Sequence, residues 1–227
     1  MNLAFIAPTE HIKKAMAASD INMCLAHLCE DPLYTEAFKE SSKYTILDNS
    51  FYELGRCIST DEMLIAAEKV GADCLVMEDG KTEQFMTYSL EGYEVMFIPK
   101  TLEDFKMAMR AEEISKVGIS AIWAEKYLGL TRNWPFARFL FMRQGWEAGF
   151  SASKVHLLGA TDSLMEIGVC KPFVSSWDSS AAVWSGLHGL DVSRQTVKFA
   201  KKVDFNSKLP WTEQVEQNIQ FIKEISK

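Results

Sequence analysis

Short apolar runs recur along the chain every two to three dozen residues, separated mostly by charged stretches whose apolar positions repeat at helical spacing. The runs predict eight strands: Asn2–Ala7, Asn22–Leu28, Tyr44–Asp48, Asp73–Glu78, Glu94–Pro99, Ser120–Glu125, Lys154–Gly159 and Phe173–Trp177. Between the third and fourth, Thr60-Asp61-Glu62-Met63 opens a helix with an N-cap threonine and early acids. Its Met63, Leu64, Ala67 and Val70 repeat at helical spacing, and Gly71 ends it. Thr101-Leu102-Glu103-Asp104 starts another helix, and Asn133-Trp134-Pro135 leads into one carrying Phe136, Leu140, Met142 and Arg143.

Strands such as Cys74-Leu75-Val76-Met77 and Val95-Met96-Phe97-Ile98 are apolar at consecutive positions, as expected where both faces of a parallel sheet are covered. Eight strand–helix units predict an α/β fold, a single (β/α)8 TIM barrel. A doubly wound open sheet is the rival, but no GxGxxG follows the first strand. The barrel is expected to occupy about 1–190 of one domain spanning 1–227, with a helical tail over about 191–227. Trp211, Val215, Ile219 and Ile222 in the tail mark a final packing helix.

Composition changes little in this picture but narrows the chemistry. With 227 residues and 48% hydrophobic content the chain is large enough for one sizeable core. A formal charge of -7 excludes a global positive field for nucleic acid, so any such contact is local. Met1 to Pro8 is too short and too poor in basic residues for a secretory signal, and no run approaches a membrane span. The expectation is a cytoplasmic protein with no membrane partner. The five cysteines are scattered without a CxxC, and the four histidines lack ligand spacing. Reduced core thiols, no metal site and no cofactor are the expectation.

If the barrel forms, chemistry belongs at the C-terminal ends of its strands. Four predicted strand ends are acidic, at Asp48, Glu78-Asp79, Glu125 and Asp178. A single acid after a strand is commonly a cap or turn residue, but crowded acids repel each other and call for a functional reason. Divalent-metal catalysis and glycosyl transfer by a carboxylate pair both fit such a rim. Metal-dependent hydrolysis ranks lower, because no histidine accompanies the acids at the strand ends and no D-x-D pair occurs.

Three segments, Leu47-Asp48-Asn49-Ser50-Phe51-Tyr52-Glu53, Lys154-Val155-His156-Leu157-Leu158-Gly159 and Val174-Ser175-Ser176-Trp177-Asp178-Ser179, resemble the tRNA-guanine transglycosylase superfamily. They look most like its shorter relatives that insert 7-deazaguanines into DNA in phages and bacteria. The resemblance implies a pentosyltransferase that exchanges guanine for a 7-deazaguanine base in DNA through a covalent aspartyl-glycosyl intermediate. It implies Asp178 as the nucleophile, Asp48 as the general acid/base, and Asp79 on the edge of the base. It further implies Glu125 as a substrate-binding residue; beside the acids, Asn49, the aromatics Phe51 and Trp177 as a surface for a base, and Gly159 as a point of close backbone approach complete the substrate-binding candidates. Lys126 and Arg132, in the loop after the sixth strand, are candidates for phosphate contact, as is the local basic cluster Arg194, Lys198, Lys201 and Lys202.

The implied partners are DNA, or a small nucleoside, and a free 7-deazaguanine base, with a possible homodimer and, for a phage protein, the cytoplasm of the bacterial host. The chain lacks the C-x-C-x2-C and histidine zinc site of the tRNA enzymes and much of their length. Two alternatives stay open: a nucleoside or nucleotide N-glycosidase acting on a small substrate, and a non-catalytic barrel that binds modified bases.

Overall fold

The structure is a computed structural model that describes residues 1–77, 87–89, 91–130, 134–159, 164–194 and 202–227. Eight parallel strands run in the order β1-β8-β7-β6-β5-β4-β3-β2, interleaved with helices, and form a nearly closed (β/α)8 barrel. The strands are β1 (Asn2–Phe5), β2 (Asn22–Leu25), β3 (Thr45–Asp48), β4 (Cys74–Val76), β5 (Glu94–Phe97), β6 (Lys116–Ser120), β7 (Val155–Leu158) and β8 (Ser176–Ser179). The seam between β1 and β2 is sealed by side chains as well as backbone. The Leu3 carbonyl accepts from the Asp20 amide at 2.8 Å, Asp20 Oδ2 accepts from the Leu3 amide at 3.0 Å, and Ser19 Oγ accepts from the Phe5 amide at 2.8 Å.

Alternation along each strand divides the core into two shells. Leu3, Phe5, Cys24, Leu47, Leu75, Val95, Phe97, Val117, Ile119, Val155, Leu157 and Trp177 face outward into the layer beneath the helices. Ala4, Ile6, Met23, Leu25, Ile46, Cys74, Val76, Met96 and Ile98 fill the barrel. This explains the near-continuous apolar strands, since the sheet is covered on both faces.

The sixth strand is displaced from its expected place. Residues 116–120 form β6, and Ala121–Leu128, expected to be mostly strand, is a helix. The inward positions of β6 are Lys116, Gly118 and Ser120, so no apolar alternation marks it. Gly118 is an opening for its neighbours: a Cβ there would lie 2.9 Å from Leu158 Cδ1 and from Met96 Sδ. The eighth strand also begins later than expected, because Lys171–Phe173 is a turn of 3-10 helix.

The helix Thr60–Val70 is capped by Ser59 rather than Thr60. Ser59 accepts from the Glu62 amide while the Glu62 carboxylate accepts from the Ser59 amide. The C-terminal helix Glu213–Ser226 packs against the helix Ala181–Leu187. Asn218 fixes this contact, donating to the carbonyls of Ala182 at 3.1 Å and Leu190 at 2.9 Å and accepting from the Val192 amide at 3.1 Å. Gly186 allows the close approach, because an added Cβ would sit 2.5 Å from Val215 Cα. Gly186→Ala is therefore expected to lower stability by about 1–3 kcal/mol through overpacking, read as a drop in melting temperature of roughly 2–4 °C per kcal/mol.

Candidate active site at the barrel mouth

The polar interior begins on β7. Val155 and Leu157 face outward and Leu158 faces inward, so strand alternation turns His156 inward, where it is fully buried. His156 lies opposite Ser176 in the β7–β8 ladder, and its Nδ1 is 2.8 Å from Ser176 Oγ. Its Nε2 is 2.9 Å from Asp178 Oδ1. A carboxylate only accepts, so the Nε2 position carries the hydrogen toward Asp178, and in the neutral ring Nδ1 accepts the Ser176 hydroxyl. Asp178 stands opposite Ala4 of the interior shell, at the C-terminal end of β8.

A second donor reaches the same oxygen. The Gly159 amide donates to Asp178 Oδ1 at 3.1 Å, from a backbone held at φ +65 that glycine adopts without strain. The Gly159 carbonyl accepts from Trp177 Nε1 at 2.6 Å and from Arg138 Nη1 at 3.1 Å. Arg138 also donates to the Leu158 carbonyl at 2.7 Å and pairs with Glu166 at 2.6 Å, both side chains being 1% exposed. Arg138 thus holds the turn after β7 from behind, and that turn aims an N–H at Asp178. Gly159→Ala is expected to cost roughly 1 kcal/mol in left-handed strain and to loosen this clamp, visible as a downfield-to-upfield move of the residue 159 amide proton in an NMR spectrum.

Asp48 ends β3 opposite Leu25 of the interior shell, so it too faces the mouth. Its Oδ1 accepts from the Ser50 amide at 2.7 Å. Asn49 is buried and braces the neighbouring loop, donating to the Met77 carbonyl at 2.8 Å and accepting from the Phe51 amide at 3.1 Å. Ser50 is the one non-glycine residue with positive φ, at 58, among the described residues. Its Oγ lies 2.8 Å from His27 Nδ1 and accepts from the His27 amide at 3.1 Å, which ties the ends of β2 and β3 together.

Burial first, and then the Lys202 ammonium, pull the His27 imidazole below its ordinary value. The folded protein therefore favours neutral His27. Its contribution to stability is complete above about pH 6.5, the unfolded value, and is lost as pH falls through the depressed folded value. Acidification from pH 7 to 5 is expected to lower the melting temperature more in the parent than in a His27→Asn variant.

The opposite side of the rim carries positive charge. Trp123, on the helix Ala121–Leu128, packs against the interior shell. Lys100 Nζ lies 4.6 Å and Lys126 Nζ 4.8 Å from its ring centroid, within cation–π range.

Asp48, Asn49, Gly159, Lys126 and Asp178 thus lie at or beside the mouth, and Phe51 opens the short helix Phe51–Leu54 next to it. Two expectations are corrected. Glu125 is not a strand end; it sits on the helix, 5% exposed, and accepts from the Trp134 amide at 2.8 Å. Trp177 points away from the mouth into the outer shell, because it alternates with the inward Ser176 and Asp178, and only its effect through Gly159 reaches the site. Asp79 and Arg132, with Glu78, Lys198 and Lys201, lie outside the described residues.

Sequence reasoning did not assign His156, Arg138, Glu166, Ser50 with His27, or Lys100 to the site. The signal for His156 was present, as the one polar residue in the apolar run Val155-His156-Leu157-Leu158. Among the described residues no group of three or more histidine, cysteine, aspartate or glutamate side chains is placed to hold a metal ion. No described helix is long and apolar enough to cross a membrane.

No protein-family model matches the chain, and no curated protein matches it. Among solved structures it is similar to the 4-hydroxy-2-oxoglutarate aldolase/2-deydro-3-deoxyphosphogluconate aldolase from TTHB1. The TM-score is 0.60 at 12% identity, over 99% of this chain and 92% of that one. It is also similar to CitE from Mycobacterium tuberculosis, solved in complex with magnesium and acetate, with a TM-score of 0.53 at 12% identity over 78% of this chain and 84% of that one. Likeness at this identity shows the fold.

These findings overturn the tRNA-guanine transglycosylase resemblance, and with it the pentosyltransferase activity and base exchange in DNA: similar barrels include an aldolase and CitE. The physical reason lies in the motifs. His156-Leu157-Leu158-Gly159 is an inward–outward strand pattern closed by a left-handed turn, and Ser176-Trp177-Asp178 is the same alternation on β8. Both are local patterns of alternation and turn geometry that specify no activity, and the eight-strand architecture is what the comparisons leave standing.

Proposed function

We propose that this chain is a small-molecule enzyme of lyase type, in which Asp178 removes a proton from the carbon next to the carbonyl of a 2-oxo acid. The observation that carries the reading is the clamp on Asp178. Both donors found among the described residues reach Oδ1, from His156 Nε2 and the Gly159 amide. This fixes the carboxylate plane and leaves Oδ2 as the oxygen that meets a reacting C–H bond. The proton moves to Asp178, the C–H electron pair forms the enolate C=C bond, and the carbonyl π pair moves onto oxygen as negative charge. Return of a proton to carbon, or attack of that carbon on an electrophile, completes the cycle.

Lys100 and Lys126 beside Trp123 supply positive charge at the same rim for the substrate carboxylate. Asp48, on the other side of the β1–β2 arc, is the second carboxylate at the mouth. Of the two similar barrels, one is named as an aldolase for the 2-oxo acid 4-hydroxy-2-oxoglutarate, and the other was solved with acetate, a simple carboxylate.

The test is proton exchange. Pyruvate, oxaloacetate and 4-hydroxy-2-oxoglutarate are incubated with the protein in D2O, with and without Mg2+, and followed by proton NMR. Loss of the signals next to the carbonyl faster than in buffer is expected for at least one substrate. Buffer-level rates for all three under both conditions would remove the proposal.

A further inference from the structure

We propose that residues 202–210 form a strap across the mouth, that Phe205 plugs an apolar subsite beside the two carboxylates, and that the strap lifts for a carboxylate ligand carrying an apolar group. The strap crosses the rim over the arc β1–β2–β3, which separates Asp178 on β8 from Asp48 on β3. Phe205, half-buried, packs against the interior shell that fills the barrel. Its ring also meets His27 edge-on, with centroids 5.5 Å apart. An aromatic side chain from a distant segment therefore fills the apolar space above the barrel interior.

Among the described residues, the polar attachments of the strap go to rim loops, and Val203 packs against the outer shell. Lys202 Nζ donates to the Glu53 carbonyl at 2.9 Å, and the Phe205 carbonyl accepts from the Thr9 amide at 3.0 Å. Lys208 pairs with Glu10 at 2.8 Å where both side chains are well exposed, a contact worth little net stability. No helix or strand includes residues 202–210, and six of these nine, Lys202, Asp204, Asn206, Lys208, Leu209 and Pro210, are exposed. The far end is held more firmly. The His11 ring nitrogen Nε2 lies 2.7 Å from the Leu209 carbonyl, Trp211 stacks edge-on against His11 at 5.5 Å, and the C-terminal helix follows.

A segment without helix or strand, tied across the rim by exposed ion-pair and backbone contacts, opens at far lower free energy than the barrel. In the closed state Phe205 competes with any ligand whose apolar group needs the same space, and apparent affinity falls by the fraction of open molecules. The proposal rests on the mouth being the functional site and extends its substrate class to 2-oxo acids with an apolar side chain. It does not depend on the proton-transfer step.

Two measurements on the full chain test it. In hydrogen exchange, peptides from 202–210 are expected to exchange at least about a hundredfold faster than β7 and β8. Phe205→Ala and, separately, Lys202→Ala should raise that rate further without changing Glu213–Ser226. Protection of the strap equal to that of the strands, or loss of protection spreading into the last helix, would overturn the lid. In titration calorimetry, Phe205→Ala is expected to bind phenylpyruvate about tenfold more tightly than the parent, with pyruvate affinity unchanged. Equal phenylpyruvate affinity in parent and variant, with a mobile strap, would overturn the plug. Absence of deuterium uptake by pyruvate, with both results intact, would count against the chemistry alone.

Discussion

Asp178→Asn is expected to fold with nearly parental stability and to lose about a hundredfold or more of the 2-oxo acid exchange rate, the usual range for removing a positioned base. The reason is a separation of roles within one side chain. The amide oxygen of asparagine still accepts from His156 Nε2 and the Gly159 amide, which lie 2.9 Å and 3.1 Å from Oδ1 in the parent. The buried donors keep their partner, and no desolvation penalty arises from an orphaned N–H. What disappears is the second oxygen, replaced by an NH2 group that cannot take a proton from carbon. Thermal melting and NMR exchange on the same sample check the two halves. Parental exchange in a well-folded Asp178→Asn protein would remove Asp178 from the mechanism.

Arg138→Met is expected to be among the most damaging single changes to stability, at about 3–5 kcal/mol, because it strips the charge partner from a glutamate buried to 1% exposure. It also removes the donors that the Leu158 and Gly159 carbonyls receive. The double variant Arg138→Met/Glu166→Met should recover much of the loss, since an apolar pair of similar volume commonly replaces a buried ion pair at little cost. Chemical denaturation of the parent, the single and the double variant gives the comparison. A single variant losing less than about 1 kcal/mol would show that the pair does not support the turn. If Arg138 acts on the site through Gly159, the stable double variant should still show a slower exchange rate.

Much of the fold was legible because a parallel sheet covered on both faces writes itself as apolar runs. All eight strand predictions overlap the strands found, the sixth only at Ser120 of β6. That strand was displaced because its inward positions, Lys116, Gly118 and Ser120, carry no apolar signal. The apolar Ala121-Ile122-Trp123 that follows is the start of a helix. The eighth was placed early because Phe173 and Val174 precede the ladder.

The site was legible only where a residue's place on its own strand decides its direction. Asp48 and Asp178 end strands, so barrel geometry turns both toward the mouth. Glu125 was misplaced with its strand, and Trp177 was assigned to the site although alternation next to Asp178 sends it outward. The family assignment failed for a related reason. Three short strand-end motifs encode alternation and turn geometry, which are backbone properties and carry no reaction chemistry of their own.

The chain alone determined a βα rhythm and a nearly closed parallel barrel with Asp48 and Asp178 at strand ends, because period, capping and apolar runs are local properties of neighbouring residues. Only the tertiary structure decided that His156 and the Gly159 amide converge on one oxygen of Asp178, that Arg138 braces that turn from a helix, and that Phe205 returns from the tail to pack on the interior shell. These contacts join segments far apart in sequence, and no local preference specifies them. They arise from the requirement that every buried polar group find a partner once the barrel has closed.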